Sequence, residues 1–191
     1  YYRETKTAPT EDKYMEMVAN KTGSFFRVFC MCLSALSNEK NSKKLDQLIL
    51  EFADVVGKLY QVRDDFMDLV SEEYFAKKGT FASDFEEGKY SFPIIHCIQL
   101  NDENAELFRK YLGKENITQE EKQLLFDCLK RSGSLEYTSV KVSNLYNDAI
   151  ALLSEINLYT HVPNQKMYDW LTQLMADVPY VHIDKEINML N

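Results

Sequence analysis

Apolar residues recur along the chain at the spacing of about 3.6 residues that one face of an α-helix requires. The alternation of apolar and polar residues that is typical of half-buried strands is nearly absent. Proline occurs only at positions 9, 93, 163 and 179, so long helices are allowed between the first two. The pattern therefore predicts an all-α fold with no sheet. The predicted helices run over about 11–36, 44–70, a short segment with Pro93 in its first turn, 118–131, 135–158 and 165–176.

Two of the predicted helix starts carry capping signals. Thr10 stands before Glu11 and Asp12, whose carboxylates are favourably placed against the helix dipole. Thr118 and Glu121 have the spacing of a capping box. The polar segment 37–43 and the charged segment 71–91 are predicted to be loops, and the tail from residue 178 is left unassigned.

Composition narrows the class of protein. The 191 residues predict one domain, and the formal net charge of −8 disfavours a nucleic-acid or anionic-membrane partner. No apolar run approaches the roughly 18 residues of a membrane span. The three histidines have no metal-ligand spacing. Four scattered cysteines favour reduced thiols over a disulfide framework, so we expect a cytoplasmic protein: Cys30, Cys32, Cys97 and Cys128.

Two residues interrupt the apolar pattern of the first predicted helix. At about 100° per residue, Lys21 falls on the apolar stripe that contains Tyr14 and Phe25. Its ammonium group must therefore be desolvated and paired, or must extend to the rim of the stripe. A glycine within a helix costs about 1 kcal/mol relative to alanine, so Gly23 indicates the close approach of a neighbouring helix or a ligand.

The second predicted helix carries an acidic face. Gly57, Gln61, Asp64 and Asp68 project within about 60° of one another, and Asp65 lies further round. The three aspartates repel one another when all are ionised, which water or a bound cation must offset. Oxygen ligands on one helix face suit Mg²⁺, and a solvated acidic surface is the alternative.

The segment after this helix carries features that suit phosphate binding. Lys77, Lys78 and Lys89 are cations of the kind that bind phosphate oxygens. Gly79 and Gly88 allow the backbone to bend toward a ligand. Solvated loop charge explains each lysine singly. Together with the aspartates, however, the lysines supply what binding of a magnesium diphosphate requires.

Three motifs, in this order, resemble those of the trans-isoprenyl diphosphate synthases, and most closely the geranylgeranyl diphosphate synthases of fungi and animals. They are Lys21-Thr-Gly23, Gln61-Val-Arg-Asp-Asp-Phe-Met-Asp68 and Asp84-Phe-Glu-Glu-Gly-Lys-Tyr-Ser-Phe-Pro93. Pro9-Thr-Glu11 and Gly133-Ser-Leu-Glu-Tyr-Thr138 also fit the family. The resemblance covers residues 1–158 and is loose beyond them.

The resemblance implies an isoprenoid-synthase-type helical bundle around a deep central cavity. In that family, two aspartate-rich motifs hold three magnesium ions against an allylic diphosphate. Departure of the diphosphate leaves an allylic cation, which alkylates isopentenyl diphosphate before a proton is lost. The implied activity is condensation of farnesyl diphosphate with isopentenyl diphosphate to give geranylgeranyl diphosphate, in a homodimer or higher oligomer.

The resemblance also assigns roles to residues of this chain. Ser24 stands where the family frequently has glycine, which alters one wall of the implied site. Catalysis would depend on Lys21 and on the second aspartate motif. The aspartates of that motif would bind metal, and Asp64 is the favoured ligand among them. The three are Asp64, Asp65 and Asp68. The groups that would hold the allylic diphosphate are Lys21, Thr22, Gln61, Lys78 and Lys89.

Four phenylalanines have two interpretations. They either form the wall of an apolar tunnel that keeps water from the allylic cation, or they pack in the core of the fold. They are Phe25, Phe26, Phe29 and Phe66.

The family's first aspartate-rich motif, and the basic residues that bind isopentenyl diphosphate, are absent from residues 1–191. We therefore expect a single prenyltransferase domain that lacks its N-terminal helices and does not catalyse condensation alone. The alternatives are a farnesyl diphosphate synthase, the prenyltransferase domain of a bifunctional terpene synthase, and a non-catalytic helical partner of a synthase. A helical interaction module with a solvated acidic face leaves the lysines unexplained.

Overall fold

The computed structural model describes residues 2–36 and 42–179, apart from the side chains at positions 3, 77 and 78. These ranges are helical and contain no strand, which confirms the predicted fold class. The helices are α1 (Tyr2–Thr5), α2 (Glu11–Val18), a π-helical segment (Ala19–Gly23), α3 (Ser24–Leu36), α4 (Lys43–Val70), α5 (Glu72–Lys78), α6 (Ser83–Glu87), α7 (Phe92–Gln99), α8 (Glu103–Tyr111), α9 (Gln119–Arg131), α10 (Ser134–Thr160) and α11 (Gln165–Met175).

The long helices begin and end close to the predicted positions, whereas the prediction of a loop over 71–91 is wrong. That segment contains α5 and α6. The Ser71 hydroxyl accepts from the Tyr74 N–H and starts α5. Helix α8 was not predicted either, although Asp102 caps its first turn and Arg109 and Lys110 lie in its last turn. The tail from position 180 lies outside the described residues.

The core lies mainly between α4 and α10, the two longest helices. Leu59, Val62 and Phe66 on α4 are fully buried, as are Val142 and Ala149 on α10. Phe66 therefore packs in the core, which was one of its two predicted interpretations. Within the described ranges, none of the helices is both long enough and apolar enough to cross a bilayer.

Two glycines allow α4 to approach the π-helical segment closely. A Cβ atom at Gly57 would lie 2.6 Å from the Cα atom of Gly23 and 2.8 Å from its backbone nitrogen. Since these are backbone atoms, a side chain at Gly57 would force the two segments apart. The prediction that Gly23 marks a close helix approach is confirmed.

The π-helical segment changes the direction of Lys21. Its turn is wider than an α-helical turn, so residues after Val18 leave the spacing that placed Lys21 on the apolar stripe. Lys21 is exposed, so its ammonium group is not desolvated within the stripe, and the predicted alternative in which it extends to solvent applies. The Ala19 carbonyl accepts from the Arg27 guanidinium at 3.2 Å and from the Ser24 hydroxyl at 3.5 Å. These contacts stabilise the wider turn.

Helix α3 exposes the apolar residues that were predicted to be buried. Phe25 is 72% exposed and Phe29 is 56% exposed, while Phe26 is half-buried. No residue of α3 is buried. The predicted stripe is buried only in its first part, at Tyr14 and Val18. Large exposed apolar patches on proteins are typical of interaction sites.

We predict that Gly57→Ala destabilises the fold by about 2 kcal/mol, because the added methyl group meets the backbone at Gly23. In an open helix, the same change would stabilise by about 1 kcal/mol. The free energy of unfolding from urea titration measures the sign. Lys58→Ala, on the next residue of α4, should change it by less than about 0.5 kcal/mol. A stabilised Gly57→Ala variant would contradict the close approach.

Candidate diphosphate and metal site

A single carboxylate organises the site. Asp65 lies on α4 with 0% of its surface exposed. Its Oδ2 atom accepts hydrogen bonds from the Tyr14 hydroxyl at 2.5 Å and from the Phe92 N–H at 2.9 Å. Its Oδ1 atom accepts from the Gln61 amide at 3.0 Å and from the Lys89 ammonium at 2.9 Å. Donors from α2, α4, α7 and the segment after α6 therefore satisfy this carboxylate.

Two hydrogen-bond partners of Asp65 make further hydrogen bonds of their own. The Thr22 hydroxyl, on the π-helical segment, donates to the Gln61 amide oxygen at 3.1 Å. On the other side, the Lys89 ammonium also donates to Asp84 at 3.2 Å. We call Thr22, Gln61, Asp65, Lys89 and Asp84 the polar row. It brings together residues from all three sequence motifs.

Asp68 holds the start of α6. Its carboxylate oxygens accept from the Ser83 hydroxyl at 2.8 Å and from the Asp84 N–H at 3.1 Å. Both donors lie in the first turn of α6, where N–H groups have no helical partner. Ala82 provides no side-chain cap. Asp68 therefore caps α6 from α4 and fixes the segment that leads to Lys89.

Besides Asp68, three predicted site residues lie outside the polar row. Asp64 is half-buried on α4, and its charge contributes, after burial, to the raised pKa of Tyr74 on α5. Lys21 is exposed next to Thr22 and forms no ion pair within the described ranges. The side chain of Lys78 lies outside the described part of the chain, so its role remains a prediction.

The charge of each group in and around the polar row follows from its surroundings. Burial and the neighbouring Asp65 carboxylate raise the pKa of Tyr14 well above its usual value, so the hydroxyl keeps its proton and donates. Burial opposes the charge of Lys89, but Asp65 and Asp84 raise its pKa. Burial raises the pKa of Asp84 to about 7, and Lys89 opposes this effect.

Negative charge exceeds positive charge in the described part of the site. Asp65 and Asp84 both contact Lys89, which is the one cation that the described residues bring to these two carboxylates. The buried Oδ2 atom of Asp84 lies 3.2 Å from the ammonium group, yet no described group makes a hydrogen bond to it. Such an imbalance favours a bound cation.

The three aspartates have different surroundings in the structure. Asp65 and Asp68 bind protein donors, and no group of three acidic, cysteine or histidine side chains among the described residues could hold a metal ion. Asp64 keeps acceptor positions, since a carboxylate has about four. The donor set therefore fits Mg²⁺ in part, with Asp64 as the available protein ligand and water or phosphate oxygens as the others.

Two partners of Asp65 and Lys89 were missed as site residues by sequence reasoning. Tyr14 was counted only as an apolar position of the first helix. A buried tyrosine hydroxyl needs a hydrogen-bond partner, which is the signal that could have identified it. Asp84 was quoted only within a motif, although its position five residues before Lys89 predicts proximity across one short helix.

The family was identified by comparison with known sequences. The sequence model described as Polyprenyl synthetase matches residues 1–129, a range that contains the whole polar row. The chain belongs to the polyprenyl synthetase family.

Curated members of this family give the same result. The chain is 36% identical over 156 residues to "Geranylgeranyl pyrophosphate synthase dpmaD" of Metarhizium anisopliae, which covers 82% of the chain and 45% of the relative. It is 36% identical over 162 residues to "Geranylgeranyl pyrophosphate synthase 2" of Zymoseptoria tritici, with 82% and 46% covered. The chain therefore spans less than half the length of these relatives.

Solved structures support the fold of this polyprenyl synthetase chain. Geranylgeranyl pyrophosphate synthetase from Pyrococcus horikoshii superposes with a TM-score of 0.73 at 24% identity, over 94% of this chain and 52% of that one. The synthase from Corynebacterium glutamicum, solved with isoprenyl diphosphate and magnesium, gives 0.60 at 19% identity, over 73% and 38%. At these identities the likeness establishes the fold alone.

We predict that Tyr14→Phe destabilises the protein by about 2 kcal/mol, because the buried Asp65 loses a donor to a charged acceptor. Tyr137→Phe is the matched control, since the Tyr137 hydroxyl donates at 2.7 Å to Glu11 at the surface. That change should cost less than about 1 kcal/mol. Urea unfolding of both variants measures the difference. Equal losses would contradict the organising role of Asp65.

We predict that Asp84 makes stability fall as pH rises from about 4 to about 7. Its pKa is raised from 3.8 to about 7 in the folded state, so the folded protein binds more protons in this window than the unfolded chain does. The stabilising contribution is complete below the unfolded pKa and is lost through the folded one. Asp84→Asn does not titrate.

The difference in unfolding free energy between wild type and Asp84→Asn should therefore decrease with rising pH and level off above about pH 7. Denaturant titrations at several pH values give this difference. A difference that rises, or that does not change between pH 4 and pH 7, would contradict the assignment.

Proposed function

We propose that this chain contributes the diphosphate-binding half of a geranylgeranyl diphosphate synthase, which condenses an allylic diphosphate, farnesyl diphosphate, with isopentenyl diphosphate. The observation that carries the proposal is the polar row, in which residues from three distant motifs meet around one buried carboxylate. The names of the fungal relatives favour geranylgeranyl diphosphate over farnesyl diphosphate as the product.

Lys89 is the residue best placed to bind the diphosphate. Asp65 and Asp84 use two of its three ammonium hydrogens, and its side chain is 33% exposed. One donor therefore remains for a phosphate oxygen. We assign Thr22, Gln61 and the exposed Lys21 to the same anion. Preorganised cations lower the barrier because charge on the leaving diphosphate grows in the transition state.

We assign Asp64 as the metal ligand of this chain, and Asp65 and Asp68 as the carboxylates that hold the site in shape. The proposed cofactor is Mg²⁺, three ions with the diphosphate as the family resemblance implies. When bound, these ions supply charge stabilisation for the departing diphosphate. A neighbour of the same fold is described with isoprenyl diphosphate and magnesium, which supports this choice.

Further protein is proposed to cover the exposed apolar face of α3. Phe25, Val28, Phe29 and Leu36 are each more than half exposed, although an apolar wall is what an allylic cation requires. We propose that the N-terminal half of the synthase, with the first aspartate motif, packs against this face, and that the complete enzyme is a homodimer or higher oligomer.

A cytoplasmic location is part of the proposal. The four described cysteines are all free. Free thiols favour a reducing compartment.

We predict that the chain binds inorganic pyrophosphate in a magnesium-dependent way, measured by titration calorimetry. Lys89→Gln should weaken binding by about tenfold, since a charge-assisted hydrogen bond is lost. Asp64→Asn should remove the dependence on magnesium. Lys130→Gln is the control, because this lysine is exposed on α9 and lies over the Phe126 ring at 4.4 Å.

The control variant should bind as wild type does, and circular dichroism should show that every variant is folded. Wild-type protein that binds no pyrophosphate with magnesium present would contradict the proposed function. Binding that Lys89→Gln and Asp64→Asn both leave unchanged would contradict the residue assignments.

A further inference from the structure

A fully buried lysine lies outside the polar row. Lys122, in the first turn of α9, has 0% of its surface exposed. Its ammonium group donates to the Thr80 hydroxyl at 2.7 Å and to the Phe81 carbonyl at 2.9 Å, and it forms an ion pair with Glu86. The Thr80 hydroxyl also donates to Glu86 at 3.1 Å.

The position of Lys122 is energetically unfavourable without these partners. A buried ammonium group costs several kcal/mol unless it is paired and hydrogen-bonded. A cation at a helix N-terminus also opposes the helix dipole. Each of the three ammonium hydrogens has an acceptor, so these contacts offset the cost of burying the charge.

Two of the three acceptors, at Thr80 and Phe81, belong to the connection between α5 and α6, and the third, Glu86, lies on α6. That connection turns sharply, with positive φ values of 74° at Gly79 and 50° at Ala82. The Phe81 ring packs edge-on against Phe126 of α9, with centroids 5.3 Å apart. The connection is thus held to α9 by Lys122, while Asp68 of α4 holds the start of α6.

We propose that Lys122 is a positioning residue that fixes the α5–α6 connection and thereby sets the place of Lys89 in the diphosphate site. The route is short. Glu86 lies on α6, and Lys89 follows α6 directly and donates to Asp65 and Asp84. This inference rests on the proposed function as far as the diphosphate is concerned. The anchoring of the connection is a property of the chain alone.

The test compares Lys122→Met with wild type by hydrogen–deuterium exchange and by magnesium pyrophosphate titration. Methionine keeps the length of the side chain, and Glu86 is 45% exposed, so no buried unpaired charge is left behind. Leu125→Ala is the matched control, because it removes buried apolar volume from the same helix and touches no polar contact. Thr80→Val is a milder variant that removes one acceptor.

We expect backbone amides 79–89 in Lys122→Met to exchange about tenfold faster than in wild type, with little change in α4 and α10. Affinity for magnesium pyrophosphate should fall about fivefold or more. Leu125→Ala should raise amide exchange without confining the increase to residues 79–89, and it should leave the affinity for magnesium pyrophosphate unchanged. Lys122→Met could speed amide exchange along the whole chain, and in that case Thr80→Val decides. Faster exchange confined to amides 79–89 in Thr80→Val supports the proposal. Unchanged exchange in Thr80→Val overturns it.

Unchanged exchange of amides 79–89 in Lys122→Met would also overturn the proposal. A loosened connection with unchanged pyrophosphate affinity would overturn the claim that Lys122 positions Lys89. A wild-type chain that binds no magnesium pyrophosphate would refute the proposed function instead, while the exchange comparison would still decide whether Lys122 anchors the connection.

Discussion

The buried Asp65 carboxylate is the constraint on which the site depends. An ionised carboxylate without partners inside a protein costs several kcal/mol, so the fold must bring donors to it. The donors come from α2, from α4 itself, from the first turn of α7 and from Lys89. Because each is on a different part of the chain, satisfying one charge fixes four segments relative to one another.

Successive residues along one side of α4 have different roles. Gly57 allows the π-helical segment to lie close to α4. The Gln61 amide oxygen then accepts a hydrogen bond from the Thr22 hydroxyl of that segment. Asp64, about one turn further, is the residue that we propose as the metal ligand. Asp68 caps α6 and so fixes the segment that delivers Lys89. The spacing of three and four residues places these groups side by side, as helix geometry requires.

Sequence patterns predicted the long helices and the acidic face because both depend on local spacing. They did not predict which aspartate is buried. Asp65 lies outside the predicted face, and its burial depends on Tyr14, 51 residues earlier in the chain. The wider π-helical turn that carries Lys21 could not be predicted, because it depends on Arg27 and on the approach of Gly57.

The prediction of a loop between α4 and α7 was wrong for a related reason. Helices α5 and α6 are too short for a periodic pattern to show, and α6 is capped by Asp68 from another helix. The exposure of α3 was also not predictable, since its apolar pattern is that of a buried helix. An apolar helix face indicates that another surface covers it, but its sequence does not identify the protein segment that provides that surface.

We propose that Asp65 holds the site in shape while Lys89 and Asp64 bind the diphosphate and its metal. A crystal structure of this chain with magnesium pyrophosphate tests it most directly. We expect a phosphate oxygen within hydrogen-bond distance of the Lys89 ammonium, a metal ion on Asp64, and Asp65 still hydrogen-bonded to Tyr14 and to the Phe92 N–H. Pyrophosphate bound away from Lys89, or Asp65 separated from Tyr14 and ligating the metal, would contradict it.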